Sequence, residues 1–287
     1  MKVRRLPALS GIIALLATMA GLLFLAAPAQ SAQPIRYVAL GDSYSAASGV
    51  LPSDLKSPLC LRSTRNYAHV IAGRIGASLT DVTCGAAKTS DFTSPQYPGV
   101  RPQLDALKPD TQLVTMTIGG NDSGVFVNAI LKCGSLGVTA LGRGNPCQKK
   151  YGGSFENTVR NVTFPALVGA LGAVKAKAPA ARIAILGYPW ITPASGGCFP
   201  RMPISSGDVP YMRSLQATLN DAIRRAALAT GVTYVNLNSA SEGHDACKAG
   251  GVRWIEPVLA GTNPVIVHPN ALGQQEMAKA AISAIYG

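Results

Sequence analysis

"IRYVALGDSYSAASG", residues 35–49, is the stretch on which the reading of the chain turns. Its first half, Ile35 to Leu40, is an apolar, strand-like run that ends in Gly41. Ser43 follows two residues later, in a small-residue segment that cannot continue a strand comfortably. A serine at a strand-to-helix turn is how several unrelated enzymes expose a nucleophile, although Asp42 and Ser43 equally suit an ordinary helix cap.

Working outward, Tyr37–Leu40 is the first of five apolar runs rich in β-branched residues. The others are Ser78–Cys84, Leu113–Ile118, Ile183–Gly187 and Val232–Leu237. Helical patterns lie between and after them, at Tyr67–Ile75, a short Val100–Leu107, Thr158–Ala176, Pro210–Leu228 and Ala271–Ile285. Continuously apolar strands alternating with helices predict a parallel sheet covered on both faces, a three-layer α/β/α domain of flavodoxin-like kind with five strands. Ligands in such sheets bind beyond the carboxyl ends of the strands, at a topological switch point. Three loops stand there: Gly41-Asp42-Ser43, Cys84-Gly85-Ala86-Ala87 and Gly119-Gly120-Asn121-Asp122. His268-Pro269-Asn270-Ala271-Leu272-Gly273, just ahead of the last helix, offers a histidine to the same edge.

Composition bounds the rest. The 287-residue chain opens with Lys2, Arg4 and Arg5 followed by an almost uninterrupted apolar run from Leu6 to Ala27, then Ala27-Pro28-Ala29. This predicts a secretory signal peptide over residues 1–31, cleaved near Ala29 or Ser31, rather than a membrane anchor, which would need a stop-transfer flank. The remainder, 32–287, is long enough for one large core and holds no linker or repeat. Losing the three leader cations lowers the formal charge from +12 to +9. Its Lys and Arg residues are scattered, so nucleic acid is not an expected partner, and the charge licenses only a weak pull toward anionic surfaces. Six cysteines, at 60, 84, 133, 147, 198 and 247, predict disulfides in an exported chain, and none has metal-knuckle spacing. Six allow 15 pairings, of which the sequential one is the simplest.

The early Gly-Asp-Ser, the Gly-Gly-Asn-Asp and the late His-Pro-Asn-Ala-Leu-Gly, in this order, resemble the GDSL lipases and esterases of the SGNH-hydrolase superfamily, above all the secreted actinobacterial lipases with three disulfides. The resemblance spans essentially all of residues 32–287 and implies pairs Cys60 with Cys84, Cys133 with Cys147, and Cys198 with Cys247. It makes Ser43 the nucleophile and His268 the general base, a division of labour that chemistry asks for because a serine hydroxyl attacks poorly until a base takes its proton. It also implies an oxyanion hole built from the Ser43 N–H, a backbone N–H of the second motif and the Asn121 amide. Relatives commonly carry glycine where this chain has Ala86. A backbone donor survives that exchange if φ is negative, so Ala86 is the expected donor and Gly85 the fallback. Many relatives place an aspartate three residues before the histidine. Here Val265 stands in its place, which predicts a Ser/His dyad in which the Val265 carbonyl orients His268. The rival is a distant carboxylate, Asp245 or Glu256.

The plainer readings are specific. His69 and His244 are expected to be structural, the sequons at Asn121 and Asn161 are unremarkable by chance, and Tyr151-Gly152-Gly153 and Trp190–Pro193 are as readily packing as pocket wall. An α/β-hydrolase would need Gly-x-Ser-x-Gly, but Ser45 occupies the second glycine's place. The expected protein is therefore a secreted, monomeric serine ester hydrolase without metal or cofactor. It would act on ester or lipid substrates, with transient contact to lipid surfaces. Acyl transfer or phospholipase A-type activity at the same site, and a non-catalytic binding protein, are the alternatives.

Overall fold

The computed structural model describes Met1 and residues 33–287; the expected leader and its cleavage sites lie outside the described residues. Five parallel strands, β1 (Arg36–Ala39), β2 (Ser78–Asp81), β3 (Leu113–Met116), β4 (Arg182–Leu186) and β5 (Thr233–Val235), pair in the order β2-β1-β3-β4-β5. All of β3 is buried, and β1 and β4 each expose only their first residue. That is the burial expected of central strands covered on both faces, and it matches their largely apolar sequences. The edge strands β2 and β5 are half exposed and correspondingly less apolar.

The helices take their sides from the handedness of the crossovers. Helix α2 (Tyr67–Ile75) carries the chain from β1 outward to β2. Helix α6 (Phe164–Lys177) and helix α7 (Val209–Thr230) carry it in the opposite direction, from β3 to β4 and from β4 to β5. Right-handed connections running in opposite directions lie on opposite faces. Accordingly α6 packs on α7, while α2 packs against the C-terminal helix α8 (Ala271–Tyr286). The direction reverses between β1 and β3, so the loops leaving those two strands part from each other and leave a crevice at the carboxyl edge.

Some elements differ from the sequence reading. The segment Val100–Leu107 contains only a 3₁₀ turn, Gln103–Ala106. Ahead of α6 the chain is already helical at Ser154–Thr158 (α5) and passes through a π segment at Val159–Thr163. Pro165 has no N–H to give the preceding turn, and the backbone widens just before it. A short helix α4 (Pro146–Tyr151) and the 15-residue helix α3 (Val125–Thr139) are additional. Helix α3 escapes a propensity reading because Gly134 and Gly137 interrupt it. A Cβ at Gly137 would stand 2.1 Å from the Pro203 carbonyl oxygen, so the glycine lets that segment pack on the helix backbone. All six cysteines are paired, Cys60–Cys84, Cys133–Cys147 and Cys198–Cys247, the pairing implied by the resemblance.

Candidate active site

Helix α1 (Ser43–Ala46) starts immediately beyond β1, and the turn into it decides where Ser43 points. Gly41 has φ +122°, and a Cβ there would meet the Thr117 carbonyl at 2.4 Å and Ser45 Oγ at 2.5 Å, so no other residue fits the turn. Asp42 is the helix cap: its Oδ1 accepts the Tyr44 N–H at 3.0 Å. Ser45 Oγ accepts the Thr117 N–H at 2.7 Å and fastens the turn to the end of β3. With Asp42 capping and Ser45 anchoring, the Ser43 hydroxyl is left free for another partner.

That partner is His268, whose Nε2 lies 2.8 Å from Ser43 Oγ. Its Nδ1 lies 2.7 Å from a main-chain carbonyl, and a carbonyl only accepts, so Nδ1 carries the proton and Nε2 turns a lone pair to the serine. The carbonyl belongs to Ile266, not to Val265 as the sequence reading expected. The reason is local: Val267 has φ +59°, a left-handed conformation costing a β-branched residue roughly 1–2 kcal/mol, and this sharp turn folds the ring back onto the carbonyl two residues before it. Neither rival carboxylate reaches the ring. Glu256 is bound by Arg253, Thr262 N–H and Asn270, and Asp245 accepts from the Cys247 N–H. Burial lowers the His268 pKa from the usual 6.5, against the raising effect of the Ile266 bond.

The second motif supplies the next feature. Gly85 N–H is already given to the Cys60 carbonyl at 2.7 Å, whereas the Ala86 N–H has no protein acceptor among the described residues. Ala86 has φ +64°, so the condition of negative φ is not met: the alanine adopts the conformation that glycine would prefer. Its neighbours hold it there. The Cys60–Cys84 bridge precedes it, Gln96 Nε2 donates to the Gly85 carbonyl at 2.6 Å, and Asn121 Nδ2 donates to the Ala87 carbonyl at 3.0 Å. That last bond uses one of the two amide protons of Asn121 and leaves the other for a ligand.

Asp42 connects these loops beneath the site. It is fully buried, receives the Thr117 hydroxyl at 2.7 Å and a very short bond from Tyr188 OH, and Tyr188 OH in turn accepts the Gly120 N–H at 2.9 Å. Burial pushes the Asp42 carboxyl up to about 6 against the bonds from Tyr188, Thr117 and the Tyr44 and Ser45 backbone. Tyr188 was not among the sequence candidates, yet Gly187-Tyr188 follows β4 just as the other site loops follow their strands.

A cavity of about 250 Å³ opens beside Ser43 and His268. Phe126, Val127, Ile130 and Leu131 of α3 form one wall, with Ile191, Leu219 and Val265–Val267 opposite. Val127, Leu131 and Ile266 are exposed at its mouth, and Val138 continues the α3 stripe outward. Of the two undecided loops, Ile191 of Trp190–Pro193 lines the cavity, whereas Trp190 is buried beneath the Arg213 guanidinium. Tyr151 packs on Phe155 instead. His69, inside α2, sets its Nδ1 2.8 Å from Oδ1 of Asn66, the cap of that helix, and His244 stacks on Trp254, both in structural settings.

Residues 39–276 match the model of the GDSL-like Lipase/Acylhydrolase family. The chain is 60% identical over 256 residues to Lipase 2 of Streptomyces coelicolor, covering 88% of this chain and 87% of that protein. It is 32% identical over 270 residues to a lipase of Streptomyces rimosus, covering 92% of each. Among solved structures it is similar to phospholipase A1 from Streptomyces albidoflavus NA297, at 29% identity and TM-score 0.72 over 86% of this chain and 98% of that one. The extracellular lipase from Streptomyces rimosus matches at 28% identity and TM-score 0.73, over 87% and 99%.

Proposed function

The chain belongs to the GDSL-like lipase/acylhydrolase family and is a carboxylic ester hydrolase, and from that premise we propose that it is an exported lipase working through an acyl-enzyme on Ser43, with His268 as its general base. The observation that carries this reading is the 2.8 Å contact of His268 Nε2 with Ser43 Oγ at the mouth of an apolar cavity. In the first step the Ser43 proton passes to Nε2 as Oγ bonds to the ester carbonyl carbon. The charge that develops on the carbonyl oxygen is met by the N–H groups of Ser43 and Ala86 and by the free amide proton of Asn121. Collapse of this intermediate breaks the bond to the alkoxy oxygen, which leaves with the proton from Nε2. Water then repeats the sequence: it gives a proton to Nε2, attacks the acyl carbon, and Ser43 Oγ departs carrying that proton.

The neutral Ile266 carbonyl selects the tautomer, which in serine hydrolases is a large part of what a triad aspartate contributes. Because burial lowers the His268 pKa, the base stays unprotonated, and activity is expected to persist, below pH 6.5. The apolar walls suit an acyl chain, and the exposed Val127, Leu131, Val138 and Ile266 suit contact with a lipid surface. Three disulfides in residues 32–287 fit an oxidising, extracellular setting. A phospholipase A-type activity is the second reading, favoured by the likeness to the Streptomyces albidoflavus phospholipase A1.

A serine-directed organophosphonate should label the protein stoichiometrically. The Ser43→Ala variant should lose both the label and, by about 10⁴ or more, kcat, with its thermal midpoint unchanged. Retention of a tenth of the activity by Ser43→Ala would overturn the assignment.

A further inference from the structure

The turn that carries His268 is held from an unexpected direction. Val267 keeps its left-handed φ of +59° only because its surroundings fix it on several sides. Its N–H donates to the Glu256 carbonyl at 3.0 Å, and the Glu256 N–H donates to the His268 carbonyl at 2.9 Å. What remains is the Val267 carbonyl, one residue along from the Ile266 oxygen on which the imidazole rests. It accepts the Tyr44 hydroxyl at 2.7 Å. Tyr44 is the residue next to Ser43, so one hydrogen bond joins the nucleophile's helix to the histidine's turn across 223 positions of sequence.

The Tyr44 ring is buried and held in place, edge-on to Tyr188 at 5.0 Å and tilted against the His268 ring at 5.2 Å. Burial, helped by the charge of Asp42, pushes its phenol well above the usual value, so it stays a donor. A histidine oriented by a carboxylate is held by a charge. Here it is held by a neutral carbonyl on a strained turn, and the orientation depends on whatever immobilises that turn.

We propose that Tyr44 is a positioning residue, whose hydroxyl locks the Val267 peptide so that His268 spans Ile266 O and Ser43 Oγ at once. This rests on the reading of Ser43 and His268 as the catalytic dyad.

Tyr44→Phe removes one oxygen and keeps the ring, so it tests the bond alone. Its kcat on a short soluble ester should fall about 10- to 100-fold, while KM stays within about twofold, because the substrate is still bound but the base is misaligned. The rate of labelling by excess organophosphonate, which reads the reactivity of Ser43 without the deacylation step, should fall by the same factor. A kcat and labelling rate within twofold of the unsubstituted enzyme overturn the proposal. So does a rise in KM at constant kcat, which would make the hydroxyl a substrate contact, or a loss of folded protein by circular dichroism, which would make it a stability determinant. Ser43→Ala run in parallel separates the two ideas: if that variant still turns over ester, the dyad itself is wrong, whereas a dead Ser43→Ala beside a fully active Tyr44→Phe leaves the dyad standing and removes Tyr44 from it.

Discussion

Glu256 touches the His268 segment through its main chain and through Asn270, while its carboxylate stays off the imidazole. Burial pushes that carboxyl up, but Arg253, Asn270 and the Thr262 N–H outweigh it and hold it at about 2, below the usual 4.5. A carboxyl depressed on folding stabilises the fold above its unfolded value and stops doing so as pH falls through its folded value. Glu256→Gln should therefore cost about 3 kcal/mol of stability at pH 7. The difference from the unsubstituted protein should shrink between pH 4.5 and about 2 in denaturant titrations at stepped pH. Its kcat should change by less than about tenfold, since no carboxylate stands behind His268; a fall near 10⁴ would make Glu256 a third member of the site. At this scale the sequence offered Ser43, Asn121 and His268 as candidates by their place after strands and before the last helix, and the resemblance suggested their roles. It could not choose between the carbonyls of Val265 and Ile266, because the choice hangs on one positive φ at Val267, a valine that no local rule would put there.

At the scale of elements, α3 is the one that lines most of one side of the cavity beside Ser43 and His268. It supplies Phe126, Val127, Ile130 and Leu131 to the cavity wall, with Ile130 partly buried and Leu131 at the rim. Ile130→Trp should fill part of the cavity, cutting kcat/KM for esters of long acyl chains by roughly 10- to 200-fold while leaving short-chain esters nearly unaffected. A series of p-nitrophenyl esters of increasing chain length measures this, and an unchanged chain-length profile would remove α3 from the acyl site. The strands and the helices α2, α7 and α8 were legible because their apolar periodicity agrees with their burial. Helix α3 was not, since glycines needed for the approach of Pro203 lower its propensity, and because tertiary packing rather than local preference keeps it helical.

Across the whole molecule, the three disulfides tie loops of unequal length, with sequence separations of 24, 14 and 49 for Cys60–Cys84, Cys133–Cys147 and Cys198–Cys247. Chain entropy alone predicts that removing them, as paired Cys→Ala variants, costs roughly 3.5, 3 and 4 kcal/mol in that order. The first bridge should differ in kind. It adjoins Gly85 and Ala86, so Cys60→Ala/Cys84→Ala should also lower kcat, by loosening the donor at Ala86, while the other two pairs leave kcat near its original value. Thermal unfolding paired with kinetics at a temperature where all variants remain folded checks both halves.

The architecture and the identities of the chemical groups were determined by the sequence alone. Five apolar runs separated by helical patterns admit a covered parallel sheet, and such a sheet sends whatever follows its strands to one edge. What only the tertiary structure decided is which backbone groups of these loops are paired, and with what. Gly85 N–H is given to the Cys60 carbonyl while the Ala86 N–H stays without a partner among the described residues, the Ile266 and not the Val265 carbonyl accepts the hydrogen bond from His268 Nδ1, and Tyr188 bridges Asp42 to Gly120. Each of these follows from contacts between segments remote in the chain. Such contacts can hold a residue in a conformation that its own side chain disfavours, and a reading of neighbours along the sequence has no access to them.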